Sequence, residues 1–130
     1  MAPRGRLLVV DDDDSVGDLV AAAVDDLPID VAMVNSRDAA LTAVDRAQSA
    51  GQPFDVILLD YFLARDIGDD VIGDLNQRKT TARVVAMSGR GPAEIALEAL
   101  RLGVFDFVAK PLTRAELRLR VERALRERAH

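Results

Sequence analysis

Two kinds of apolar pattern alternate along the chain. Residues 6–10 (RLLVV) form a short continuous apolar run, the pattern of a strand buried on both faces. Val16, Leu19, Val20, Ala23, Val24 and Leu27 then recur at i, i+3, i+4, i+7, i+8 and i+11, one stripe of a helix that Pro28 stops. Residues 31–34 make a second short run. Ser36 is placed to N-cap a helix running to about Ala50, and Gly51 sits where a C-terminal glycine belongs. Residues 54–59 (FDVILL) are the third run, followed by an Asp-rich polar segment and a short helix near 70–78. Residues 83–87 (RVVAM) are the fourth. Gly89 and Gly91 mark a loop, Pro92 suits the first position of a helix to Leu102, and Gly103 ends it. Residues 104–109 (VFDFVA) are the fifth run, interrupted by Asp106, and Thr113 with Glu116 form a capping box that opens a last helix over 114–128.

The order is therefore five strand–helix units. Short strands separated by helices require a parallel sheet covered on both faces, an α/β doubly wound fold, and five units are too few for an eight-stranded barrel. The expectation is one domain over residues 1–130, with its core at about 5–128 and no output domain in this sequence. Leu, Val, Ile and Phe supply 40 of 130 residues, enough for a packed core. The chain has no cysteine and a single histidine at its last position, which excludes thiolate metal sites, a cysteine nucleophile and a Ser–His–Asp triad. No apolar run approaches a membrane span, and four carboxylates after the first run do not suit a secretory leader; a cytoplasmic location is expected.

Charge adds one clue. Of 22 acidic residues 17 are Asp, the side chain of caps, turns and metal sites rather than of helix interiors. Residues 1–110 carry 11 basic and 19 acidic groups, a balance that argues against binding a phosphate backbone. In a doubly wound sheet, ligands bind beyond the carboxyl ends of the strands. After the first run come Asp11, Asp12, Asp13 and Asp14; after the third, Asp60; after the fourth, Ser88 and Gly89; after the fifth, Lys110 and Pro111. Carboxylates gathered in one pocket repel, so either their pKa values rise or a cation binds. Hard oxygen ligands suit Mg²⁺, with Mn²⁺ the alternative. A carboxylate is a competent nucleophile towards phosphorus, and a cation on one side with Lys110 on the other would neutralise a phosphoryl group while Ser88 donates to it. No GxxxxGK[ST] or GxGxxG loop offers a nucleotide site.

LLVVDDDD, the DVILLD ending at Asp60, RVVAMSG and FVAKPLT resemble, in order and spacing, the receiver domain of two-component response regulators. The resemblance implies a flavodoxin-like sheet of order 2-1-3-4-5. It implies that Asp60 accepts a phosphoryl group from the phosphohistidine of a sensor histidine kinase or a phosphotransfer protein. Asp11 and Asp12 match the acidic pair, and Asp11, Asp12, Asp60 and the Phe62 backbone carbonyl match the metal ligands. Ser88 and Phe107 match the switch pair and Lys110 the lysine, with the Lys110–Pro111 bond cis. The face of the fourth helix, fifth strand and last helix is the one that switches, and in many relatives it carries a homodimer. No direct nucleic-acid binding by this domain and no membrane contact are implied, although an attached output domain could bind DNA.

The sequence departs from the family in three places. No proline follows the acceptor within Tyr61, Phe62, Leu63 and Ala64. Asp66-Ile67-Gly68-Asp69-Asp70 adds negative charge. Asp13 and Asp14 extend the acidic pair, Asp14 read as the N-cap of the first helix and Asp13 as solvated. Phe62 and Arg90 flank the expected path of an attacking water, so a bulky Phe62 should slow hydrolysis. Blander readings stand beside these: an acidic turn with a cap, a Lys110 paired with Asp106, a Phe107 that is plain core. So do two rivals of other classes, a pseudo-receiver that only binds proteins and an aspartate-nucleophile phosphohydrolase using Asp11-Asp12-Asp13.

Overall fold

Five parallel strands, β1 (Gly5–Val10), β2 (Ile29–Val34), β3 (Val56–Asp60), β4 (Arg83–Ser88) and β5 (Asp106–Ala109), form one sheet in the order β2-β1-β3-β4-β5. The computed structural model describes residues 4–63, 66–89 and 93–127, with backbone alone at 66–69 and 93–95. The helices are α1 (Asp14–Ala23), α2 (Arg37–Ser49), α3 (Gly68–Gln77), α4 (Ala93–Arg101) and α5 (Arg114–Arg126). Strand order reverses beside β1, which has β2 on one side and β3 on the other; the carboxyl ends of β1 and β3 thus flank the switch-point crevice.

Period-two alternation explains the unbroken apolar runs. Leu8, Val10, Ile57, Leu59, Val84 and Ala86 pack on one face with residues of α2, α3 and α4. Leu7, Val9, Val56, Leu58, Val85, Met87 and Val108 pack on the other with α1 and α5. Both sides of each central strand are dry, so neither position can be polar. Ser36 Oγ accepts from the Ala39 N–H at 3.1 Å and Thr113 Oγ1 from the Glu116 N–H at 3.2 Å, capping α2 and α5 as expected. Gly51 and Gly103 have φ of 72° and 98° beyond the ends of α2 and α4, a conformation that costs glycine little.

Several sequence expectations shift, β2 starting at Ile29 rather than 31 and β3 spanning Val56–Asp60 rather than 54–59. The cap of α1 is Asp13, not Asp14: Asp13 is extended, and its carboxylate accepts from the Ser15 N–H at 3.0 Å and Ser15 Oγ at 2.7 Å. Asp14 is already helical, and Asp13, though exposed, is engaged rather than merely solvated. Strand β5 starts at Asp106 rather than 104, because its partner register begins at Val85. Helix α3 starts at Gly68, two residues before the expected 70. An antiparallel two-residue hairpin, Phe62–Leu63 with Asp66–Ile67, precedes it. Gly91, Pro92, Arg90 and the expected end of the last helix at 128 lie outside the described residues.

Candidate functional site

Asp11, Asp12, Asp60, Ser88 and Lys110 gather at the carboxyl ends of the strands, whereas Phe62 lies in the short hairpin and Phe107 within β5. Asp11 follows β1, its N–H donating to the Val34 carbonyl of β2 at 3.1 Å. Its carboxylate is fully buried; Oδ1 accepts from the Asp13 N–H at 2.9 Å, and Oδ2 lies 3.1 Å from Lys110 Nζ. Asp12 beside it is exposed. Asp60 is the last residue of β3 and only 4% exposed; Oδ1 accepts from the Phe62 N–H at 3.2 Å, and Oδ2 is 3.7 Å from Lys110 Nζ. One carboxylate oxygen from each of Asp11, Asp12 and Asp60 falls within 4.8 Å of the others. Ser88 ends β4 and is buried. Its carbonyl accepts from the Lys110 N–H at 2.8 Å, and the Lys110–Pro111 peptide bond is cis. The Lys110 stem passes Gly89 so closely that a Cβ there would lie 3.4 Å from Lys110 Cβ.

Burial pushes the Asp60 carboxyl up to about 6; the Phe62 N–H and Lys110 pull it down, and the charges of Asp11 and Asp12 push it further up. Burial alone would lower Lys110, but its hydrogen bond to Asp11 and the charges of Asp60, Asp11 and Asp12 outweigh that and raise it. Among the described residues, three carboxylates thus face one ammonium. Two of the three are buried, where uncompensated charge is costly. A compact set of hard oxygen donors with surplus negative charge fits a small divalent cation, Mg²⁺ or Mn²⁺.

Lys110 turns to Asp11 and Asp60, while Asp106 is held by Arg120 through contacts of 3.0 and 2.9 Å, so the Lys110–Asp106 pairing does not form. Asp13 spends its carboxylate on Ser15 rather than on the cluster. Phe107 is half-buried against the α2–α4 side of the core, and its N–H donates to Asp106 Oδ1 at 2.8 Å. Phe62 is half-buried, and its ring meets Tyr61 edge-on with centroids 5.2 Å apart. Tyr61 and Phe62 read from the sequence as partly exposed, serving either packing or control of water access; Tyr61 is buried, and the signal for that is the apolar run of β3 resuming past Asp60 as Tyr-Phe-Leu.

The family model described as response regulator receiver domain matches residues 7–122. Over 125 residues the chain is 31% identical to the response regulator protein PilR of Pseudomonas aeruginosa, covering 96% of this chain and 27% of that protein. It is 31% identical to the regulatory protein AtoC of Escherichia coli, covering 96% of this chain and 26% of that protein. The chain spans about a quarter of the length of these curated relatives. Among solved structures, the receiver domain of NtrX from Brucella abortus superposes with a TM-score of 0.81 at 32% identity, over 93% of this chain and 98% of that one.

Proposed function

This chain belongs to the response regulator receiver domain family, and from that membership we propose that it is a phosphoryl-accepting switch whose acceptor is Asp60. The observation that carries the reading is the convergence of the Asp11, Asp12 and Asp60 oxygens within 4.8 Å, with Lys110 bridging Asp11 and Asp60. A solubility role would leave such acids in water; here Asp11 and Asp60 are buried instead.

In the proposed reaction an Asp60 carboxylate oxygen attacks phosphorus in line. The new O–P bond forms as the N–P bond of a phosphohistidine breaks, and the imidazole nitrogen leaves with the bonding pair. Asp11, Asp12, Asp60 and the Phe62 carbonyl would hold Mg²⁺ or Mn²⁺, which when bound supplies charge neutralisation and a clamp on one phosphoryl oxygen. Lys110 offers its ammonium to a second oxygen, and the Ser88 hydroxyl donates to a third. The phosphoryl group adds about −1.5 to −2 charges by analogy with other phosphorylated side chains. Ser88 then moves towards it and Phe107 turns into the space left, biasing the face formed by α4, β5 and α5. That face is the proposed homodimer surface, and the donor is a histidine kinase or phosphotransfer protein in the cytoplasm. Nucleic-acid binding, where it occurs, would belong to an attached output domain. Among the described residues no helix is long and apolar enough to cross a membrane.

Acetyl phosphate with Mg²⁺ should load one labile phosphate per chain, and Asp60→Asn should abolish it. Retention of that phosphate would move the acceptor elsewhere. Beryllofluoride with Mg²⁺ should shift NMR signals around Ser88 and Phe107; a mimic bound at Asp60 without those shifts would refute the coupling.

A further inference from the structure

The segment after Asp60 lacks proline, yet the Phe62 N–H must stay on Asp60 Oδ1, a contact of 3.2 Å. Some other feature has to fix that peptide. Tyr61 is only 4% exposed and belongs to the α2–α4 side of the core, in one cluster with Leu59, Leu63, Val71 and Ile72. Its N–H donates to the Met87 carbonyl at 2.8 Å, carrying the β3–β4 ladder one residue past the acceptor. Its ring meets the Phe62 ring at 5.2 Å and 75°, the edge-to-face arrangement that aromatic pairs favour. Phe62 is half-buried, packs against the same core and pairs with Ile67 in the short hairpin. The more deeply buried ring therefore steadies the less buried one.

We infer that Tyr61 is a positioning residue: its buried ring clasps Phe62 and so holds the Phe62 N–H on the Asp60 carboxylate, in place of a rigid proline turn. The clasp also keeps the Phe62 ring beside the acceptor, where it shields the acyl phosphate from water. This second consequence rests on the reading of Asp60 as acceptor; the first does not.

The test separates the two. Hydrogen exchange of the Phe62 amide is followed by NMR in the metal-free protein, with the Leu58 amide of β3 as an internal reference. Tyr61→Leu should speed Phe62 exchange tenfold or more with Leu58 unchanged, and Tyr61→Phe, which keeps the ring, should stay within twofold of the parent. Equal acceleration at both amides, or none at Phe62, overturns the clasp, as does a Tyr61→Phe that behaves like Tyr61→Leu. Phe62→Leu removes the other ring from a half-buried position; the amide at residue 62 should be accelerated there too, which keeps the inference falsifiable if Tyr61→Leu does not fold. With the parent loaded from acetyl phosphate, Tyr61→Leu and Phe62→Leu should each shorten the phosphoryl lifetime threefold or more. The double variant should fall within twofold of the larger single effect. Multiplying effects would show that the two rings act separately and overturn it. Failure of the parent to load phosphate on Asp60 would instead sink the acceptor reading and leave the exchange result standing.

Discussion

Asp60 is held in a site that resists its charge. Burial above all pushes its carboxyl up to about 6, from an ordinary value of 3.8. The folded state therefore binds the proton more readily than the unfolded chain does. The stability attached to this group is complete below about pH 4 and is lost as pH rises through about 6. The loss at neutral pH is on the order of 2–3 kcal/mol, at 1.36 kcal/mol per pKa unit. Asp60→Asn keeps the shape and removes the charge. In metal-free buffer its urea midpoint should exceed the parent's at pH 7.5, and the gap should close by pH 4. A gap that is constant with pH would place the effect in packing. The Phe62 ring gives a second expectation at this scale: Phe62→Ala should hasten loss of phosphate from loaded protein several-fold, read as the decay of labelled acyl phosphate.

Caps and close approaches set the elements in place, and they can be weighed separately. Asp13, not Asp14, holds the start of α1 through Ser15, so Asp13→Ala should cost about 1 kcal/mol, and Asp14→Ala less than half of that, by urea denaturation. Gly17 lies inside α1 where a Cβ would collide with Met33 Sδ on β2. A thioether at the end of a flexible chain can give way, and alanine gains about 1 kcal/mol of helix propensity. Gly17→Ala should therefore be close to neutral, whereas Gly17→Leu, which overfills the gap between α1 and β2, should lose about 1–3 kcal/mol. The runs of β1, β3 and β4 were legible because burial on both faces excludes polar residues. The caps Ser36 and Thr113 were legible because the bond spans three residues. Choosing between Asp13 and Asp14 was not, since adjacent aspartates offer the same chemistry and only the backbone angle of one of them decides. The Asp106–Arg120 and Arg37–Asp74 pairs were equally hidden: they join elements whose relative rotation no local pattern encodes.

At the scale of the whole molecule the site is legible for a different reason: parallel topology alone carries distant residues to one end of the sheet. Asp11, Asp60, Ser88 and Lys110 are spread across 99 residues between Asp11 and Lys110, and each needed only to follow a strand to meet the others. What topology could not supply was the degree of burial, which turns this meeting point into a strained one. Among the described residues the sheet buries two of the three carboxylates and sets one ammonium against them, so the apolar core on either face holds together a cluster that repels itself. A cation that binds the folded cluster and not the unfolded chain stabilises the fold by RT ln(1 + [L]/Kd), about 1.4 kcal/mol at ten times the dissociation constant. Millimolar Mg²⁺ at pH 7.5 should then raise the parent's urea midpoint, with an increment that grows with the logarithm of concentration once the site is saturated. Asp12→Asn, an exposed position with little packing to lose, should have a metal-free midpoint close to the parent's and a much smaller Mg²⁺ increment. Na⁺ at matched ionic strength separates site binding from screening, because screening acts on every surface charge alike and would raise both proteins equally. Equal increments in the parent and in Asp12→Asn would mean that the cluster does not hold the ion, and the strain at the end of the sheet would need another source of relief.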